Sequence, residues 1–379
     1  MNIIKEIILN AKHLFGWKTN RKIIVFSVDD YGNVRLNSKE ARLNLDKMEM
    51  KIYSRFDLYD TLETKEDLTQ LFAILESVKD KKGRHPVFTT FSMTSNIDFE
   101  KMQKDDYTCF YNETLPETFE KLSKQQPEAY AGAWDLFREG IVKGLLKPQF
   151  HGREHLNLIV FNDKLQKRDK QLLCALKNKS YTSISDEEYP NMSSMAAFDF
   201  WDFIENKAFI PIIQEGLDLF EKIYGYKSTY FTPPVNNIHH SLFKTLTEKG
   251  IRFIDLAMIR KEHQGLNVFK KSFNYLGKKE KDGLIVMVRN VVFEPTEDRG
   301  INWVDFTMKQ IETAFRWNKP AIISSHRVNF CGHIDENNRN IGLMALKNLL
   351  DEIIKKWPDV EFISADELGE CINKTKSLN

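Results

Sequence analysis

The sequence has no surplus of either charge: 55 Lys and Arg stand against 54 Asp and Glu in 379 residues. A chain so balanced has no electrostatic means of holding a phosphate backbone, so nucleic acid is not an expected partner. Cysteine is scarce. Cys109, Cys174, Cys331 and Cys371 are too few for a disulfide scaffold and are not spaced as a paired zinc motif, so reduced, buried thiols are expected. No apolar run approaches the length of a bilayer span, which excludes an integral membrane segment. The opening stretch MNIIKEIILNAKHLFGWKTNRK lacks a basic leader, a continuous apolar stretch and a small-residue cleavage site, so a cytoplasmic protein is expected. Internal repeats and low-complexity segments are also missing.

What remains is an ordinary soluble mixture, 42% hydrophobic and 29% charged, with ample material for a core. Ile3, Ile4, Ile7, Ile8 and Phe15 recur at helical spacing, so residues 1–19 read as an N-terminal amphipathic segment that packs on the domain. Beyond it, short apolar runs each end in a polar or unusual residue. Lys22–Val28 runs into Asp29 and Asp30, Pro86–Phe91 into Ser92, and Pro148–Phe150 into His151. Ser228–Phe231 runs into Thr232, Pro233 and Pro234, and Ile251–Ile254 into Asp255. Leu284–Val288 runs into Arg289, Ala321–Ser325 into His326, and Val360–Ser364 into Ala365 and Asp366.

Helical patterns separate these runs. Leu68, Leu71, Phe72, Leu75 and Val78 follow Thr64 and Asp67, which are placed as a capping box. Similar patterns cover Trp134–Lys147, Ala208–Tyr224 before Gly225, Leu242–Lys249, Val304–Trp317 and Ile341–Trp357. Strands alternating with helices are parallel strands joined by crossovers, and continuous apolar strands are buried on both faces. The expected fold is therefore α/β: a distorted (β/α) barrel of about seven parallel strands, residues 20–379, with long lid-like insertions at 31–63 and 156–206. An open doubly wound sheet is the alternative.

Barrel chemistry gathers at the C-terminal ends of strands. Asp29 and Asp30 end the first strand; consecutive strand residues diverge, so one carboxylate can ligate a metal while the other faces substrate. In His151-Gly-Arg-Glu-His155 two imidazoles four residues apart can address one ion. The same letters spell a metalloprotease signature with Glu154 as base, but that motif needs a helix, and Gly152 after the strand Pro148–Phe150 argues against one. His326, at the end of its run, has the chemistry of a general acid near neutrality. Pro233-Pro234 fixes a rigid turn at the rim. Phe198, Phe200 and Trp201 in the second insertion offer aromatic faces for a sugar.

Taken together, these motifs resemble the polysaccharide deacetylase family across about residues 22–370. Ser27-Val28-Asp29-Asp30-Tyr31-Gly32 is similar to its T-F-D-D-G motif, and His151-Gly-Arg-Glu-His155 to H-[ST]-x-x-H. Tyr230-Phe231-Thr232-Pro233-Pro234-Val235 is similar to R-x-P-Y, and Ile323-Ser324-Ser325-His326 to L-x-x-H. The resemblance implies a distorted seven-stranded barrel and removal of acetyl groups from a carbohydrate. It implies Asp29 as base, His326 as acid, and Asp30, His151 and His155 as ligands of one divalent ion, zinc being the first choice. Tyr31, Arg153, Thr232, Pro233, Pro234 and Trp201 are the expected substrate-side residues. The departures are Thr232 where the family has the arginine that holds the base, Val235 in place of its tyrosine, and Gly152 in place of a hydroxyl residue. Arg153, Arg289 and Arg327 are the candidates for the missing guanidinium. Two further functions are compatible with the same residues: hydrolysis of another C–N bond, and glycan binding without turnover.

Overall fold

The computed structural model describes residues 10–189 and 191–377. Its strands, in chain order, are β1 (Ile23–Tyr31), β2 (Phe88–Met93), β3 (Ser95–Ile97), β4 (Asn112–Thr114), β5 (Gln149–Gly152), β6 (Tyr230–Phe231) and β7 (Phe253–Asp255). They continue with β8 (Ile259–His263), β9 (Phe269–Phe273), β10 (Ile285–Met287), β11 (Val291–Val292), β12 (Ala321–His326) and β13 (Glu361–Phe362). One sheet runs β10-β7-β6-β5-β2-β1-β12-β11, with β13 also pairing β1, and its pairings are parallel. Its two ends, β10 and β11, are separated only by residues 288–290. The chain itself therefore joins the edges. Counted as one stave, β10 and β11 complete a ring of seven, a distorted (β/α) barrel surrounded by helices.

Alternation along β1 sorts the core into two layers. Ile23 and Val25 point inward and pack with Phe91, Tyr230, Phe253 and Ile322. Ile24, Phe26 and Val28 point outward, into the layer formed with the helices Lys65–Glu76, Trp303–Arg316 and Glu336–Lys356. Burial on both faces explains why β1 is a continuous apolar run. The capping box forms around Lys65–Glu76: Asp67 donates its N–H to Thr64 Oγ1 at 3.1 Å and accepts the Thr64 N–H at 3.1 Å, an arrangement worth about 1 kcal/mol per cap. Gly225 closes the helix Phe209–Tyr224 at φ +76°, where a side chain would be strained.

Several elements differ from expectation. The insertions carry helices of their own. The first contains the helices Lys39–Lys47 and Arg55–Tyr59, the second Leu158–Gln166 and Lys170–Lys177. They bind each other into one flank: Thr182 Oγ1 donates to Asp57 Oδ1 at 2.5 Å, and Arg42 Nη1 to Ser183 Oγ at 3.0 Å. The antiparallel hairpins β3–β4 and β8–β9 escaped the apolar-run criterion because they are short or half-exposed. All four cysteines are free thiols, but only Cys331 is buried; Cys174 and Cys371 are half-buried and Cys109 is exposed. Most of the expected amphipathic helix, residues 1–9, lies outside the described residues. From Asn10 onward the segment is tied to the barrel, with Lys319 Nζ donating to the carbonyls of Phe15, Gly16 and Trp17 at 2.7, 2.7 and 3.0 Å. Among the described residues no helix is long and apolar enough to cross a membrane.

Candidate active site

The inward alternation Ile23, Val25, Ser27 continues to Asp29, which puts its carboxylate inside the mouth of the barrel. Regular alternation would send Asp30 outward. Instead the register of β1 against β2 shifts between Val28 and Tyr31, and Asp30 takes φ +73°. Aspartate tolerates this left-handed conformation better than most side chains. The bulge re-aims Asp30 across the mouth, a common use of such irregularities beside functional sites. A second register shift, between β2 and β5, falls at His151.

Asp30 Oδ1 consequently lies 3.3 Å from His151 Nε2 and 3.3 Å from His155 Nε2. His151 Nδ1 donates to the Thr232 carbonyl at 2.6 Å, which turns Nε2 toward the carboxylate, where it can offer a lone pair to a cation or, when protonated, a hydrogen bond to Asp30. Two imidazole nitrogens and a carboxylate oxygen within 4.8 Å of one another, largely buried, repel unless a cation or proton lies among them. The three residues form a group that could hold a metal ion. Burial would raise the Asp30 pKa, but the hydrogen bonds from His151 and His155 outweigh it and hold the carboxylate well below the usual range. Residues 151–156 are strand end and bends, not helix, so the metalloprotease geometry is absent. Gly152, at φ +150°, makes the tight passage from β5 to His155. Glu154 is occupied by Arg153, whose Nε and Nη2 donate at 2.5 and 2.9 Å.

Asp29 has a different partner. Arg289 donates to it through both guanidinium nitrogens, Nη1 to Oδ2 at 2.7 Å and Nη2 to Oδ1 at 2.7 Å. Its Nε is paired with Asp255 at the end of β7, Nη2 also reaches Thr232 Oγ1 at 3.1 Å, and Nη1 reaches Ser324 Oγ at 3.2 Å. Of the three candidate arginines this one meets Asp29. Arg289 occupies the jog between β10 and β11, where the barrel seam is closed. The small Thr232 side chain takes part in the same hydrogen-bond network. Arg327 is instead sealed beneath the mouth, bonded to Asp60 Oδ1 at 2.7 Å, Glu63 Oε2 at 2.8 Å and the Asn33 carbonyl at 2.8 Å. Arg153 is held by Glu154 and Glu215.

His326 ends β12 directly beside Asp29 in the register, with Nε2 3.9 Å from Asp29 Oδ2. Its Nδ1 faces Glu294 Oε1 at 2.7 Å. Glu294 was not singled out in the sequence; it lies two residues beyond β11, itself too short to register as an apolar run. Arg55 and Asn329 hold it, Asn329 Nδ2 at 2.8 Å. Burial would lower the His326 pKa, but Glu294, Asp30 and Asp29 together raise it to about 9.

The remaining expected residues are distributed as follows. Thr232 sits between His151 and Arg289, and Pro233 and Pro234 are buried at the turn that follows. That turn carries Val235 at φ +56°, strained for a β-branched side chain, at the rim. Tyr31 is buried in the outer core beside Phe137. Phe198 and Phe200 pack in the core rather than face the mouth, while Trp201 is half-buried. A second group of possible ligands, His239, His240 and Glu262, also clusters. Glu262 is already paired with Arg260 at 2.7 Å and His240 Nδ1 at 3.0 Å, and this network ties the β8–β9 hairpin to the rim.

No family model matches the sequence, and no curated protein matches it. Solved polysaccharide deacetylases are among its structural neighbours. A protein assigned as a polysaccharide deacetylase from Mycobacterium smegmatis superposes with a TM-score of 0.44 at 11% identity, covering 96% of this chain and 94% of that one. The peptidoglycan deacetylase of Bacillus subtilis gives 0.35 at 15% identity, with 94% of each chain covered. An allantoinase gives 0.45 at 10% identity, covering 93% of this chain and 91% of that one. These scores are low, so what the site does rests on its own side chains.

Proposed function

We propose that this chain is a metal-dependent hydrolase that removes acetyl groups from a sugar or polysaccharide precursor. The observation that carries the proposal is the convergence, at one barrel mouth, of three metal-type ligands, a carboxylate gripped by a guanidinium fork, and an imidazole tethered to a second carboxylate. Asp30, His151 and His155 would hold a divalent ion, zinc being the first choice; when bound, such an ion supplies Lewis acidity and makes water more acidic.

The other groups act on protons. Asp29 accepts the proton of the attacking water, and the two parallel bonds from Arg289 fix the plane of its carboxylate so that a free lone pair faces the mouth. His326 delivers a proton from Nε2 to the departing amine or alcohol, while Glu294 receives Nδ1–H and supports the imidazolium. Thr232 in place of the family arginine is the reason for considering a non-catalytic, glycan-binding barrel. The Arg289 fork favours an active enzyme instead. Hydrolysis of another C–N bond would use the same groups and is separated by its product.

The test combines metal analysis with acetate detection on acetylated oligosaccharides. About one divalent ion per chain and released acetate are expected. Opening of a small cyclic amide without acetate release would replace this reading with the second. Glycan binding without turnover by the metal-loaded chain would leave a non-catalytic barrel.

A further inference from the structure

The β8–β9 hairpin leaves the mouth just after Asp255 and belongs to neither the barrel nor the proposed chemistry. Its two faces differ. The inner face carries Arg260 and Glu262, paired with each other at 2.7 Å, and Arg260 also bonds the Ile238 carbonyl. His263 Nδ1 meets Asp199 Oδ1 at 2.7 Å, and its ring stacks on Phe200 at 5.0 Å with an interplanar angle of 8°. These contacts anchor the hairpin, so what its outer face exposes is held in place.

That outer face is apolar and cationic in alternation. The ladder pairs Ile259 with Phe273 and Lys261 with Lys271, all four exposed, and Phe269 follows toward the tip, while Lys270, also exposed, stands opposite Glu262 on the other face. The tip carries Leu266 and Val268, 67% and 59% exposed, and with the exposed Phe269, Phe273 and Ile259 they put five apolar side chains on one hairpin; such a cluster, rather than any single exposed residue, marks a contact surface. At the base the patch continues onto the N-terminal segment, where the exposed Phe15 ring meets Phe273 edge-on at 5.7 Å. Charge is concentrated here as well. Residues 257–281 contain seven Lys and Arg against two Asp and Glu, although the whole chain is balanced.

We infer that this hairpin docks the protein on an anionic lipid surface, its apolar tip entering the headgroup region and its lysines meeting lipid phosphates. Apolar knobs interleaved with lysines are what an interfacial membrane contact requires. A soluble polyanion would use the lysines but leave Leu266 and Val268 without a role. A second copy of the chain would set one lysine row against another, because a two-fold interface places the same patch on both sides. Docked in this way, the hairpin would hold the barrel mouth next to the membrane. The inference does not depend on the reaction proposed above.

The experiment is flotation of the full-length chain with phosphatidylcholine vesicles prepared with and without phosphatidylglycerol, at low and high salt, alongside sizing of the free protein. Binding is expected only with the anionic lipid, weakened by salt. Leu266→Ser/Val268→Ser and Lys261→Glu/Lys271→Glu alter only exposed side chains, and each should weaken binding by roughly tenfold or more. Circular dichroism checks that both variants remain folded. The inference is overturned if the wild-type chain binds no anionic vesicles, or if both folded variants bind as well as wild type. It is equally overturned if the patch proves to mediate self-association in solution, or if acidic polysaccharide binds in its place with no loss in the Leu266→Ser/Val268→Ser variant.

Discussion

Asp29 and Asp30 are neighbours in the chain, yet the corners they occupy are built in opposite ways. The Asp30 corner is assembled from two short motifs: one strand end supplies the carboxylate, and one five-residue segment supplies both imidazoles. The Asp29 corner draws Arg289, Asp255, Thr232 and Ser324 from four separate stretches of the chain. Metal ligation tolerates little change, because an ion demands particular donor atoms around one point. A guanidinium can reach a carboxylate from any strand that brings its fork within range, so the same support can come from a different place in the sequence.

The sharpest break of this comparison is at the Asp30 corner. His151→Ala or His155→Ala should empty the metal site and take turnover to background, because three ligands leave no slack. Metal analysis of the folded variants checks this, and full occupancy in both would remove the site. Asp29→Asn is the matching change at the other corner. It should keep the ion while the rate falls by about two to four orders of magnitude, the usual worth of a positioned proton-transfer group. Metal loss from Asp29→Asn but not from Asp30→Asn would mean that the two carboxylates exchange roles.

Arg289→Lys retains the charge but not the fork, and roughly a tenfold to hundredfold fall in kcat at unchanged metal content is expected, since Lys cannot make the bidentate contact. Arg327→Met is the control: burying Asp60 and Glu63 without their partner should cost about 3–5 kcal/mol of stability, read as a lower Tm. If Arg289→Lys instead lowered Tm and left kcat intact, Arg289 would be a strut like Arg327.

The smallest effect concerns pH. His326 is raised from 6.5 to about 9, so its protonated form is the favoured one and the acid remains available through neutrality. Activity that needs this acid should persist below that value and fall as pH rises through about 9. Any stability drawn from the raised pKa follows the same sign, present below 6.5 and lost toward 9. Glu294→Gln removes the nearest charge and should move the alkaline limb of kcat toward neutrality. An unmoved limb would assign it to another group.

Much of the fold was legible because a strand buried on both faces must be a continuous apolar run. The runs at Lys22–Val28, Pro86–Phe91, Leu284–Val288 and Ala321–Ser325 correspond to β1, β2, β10 and β12 within a few residues. β11 was not, since Val291–Val292 is two residues long and has no period to detect. Phe198 and Phe200 looked available for substrate because aromatic residues in a polar stretch carry no mark of which way they point. Both turn inward to fill the layer around Phe231 and Phe209.

The sequence by itself determined which atoms were on offer: two carboxylates at one strand end, two imidazoles four residues apart, and a histidine closing a later strand. Side-chain chemistry and spacing are local properties, so they survive without coordinates. Only the tertiary structure decided which arginine serves Asp29 and which glutamate serves His326. It also decided that a bulge at φ +73° turns Asp30 away from its regular direction toward the histidines. Arg289 lies 260 residues from Asp29 and Glu294 lies 32 from His326. Such pairings follow from how the strands are ordered around the barrel, and no local pattern encodes that order.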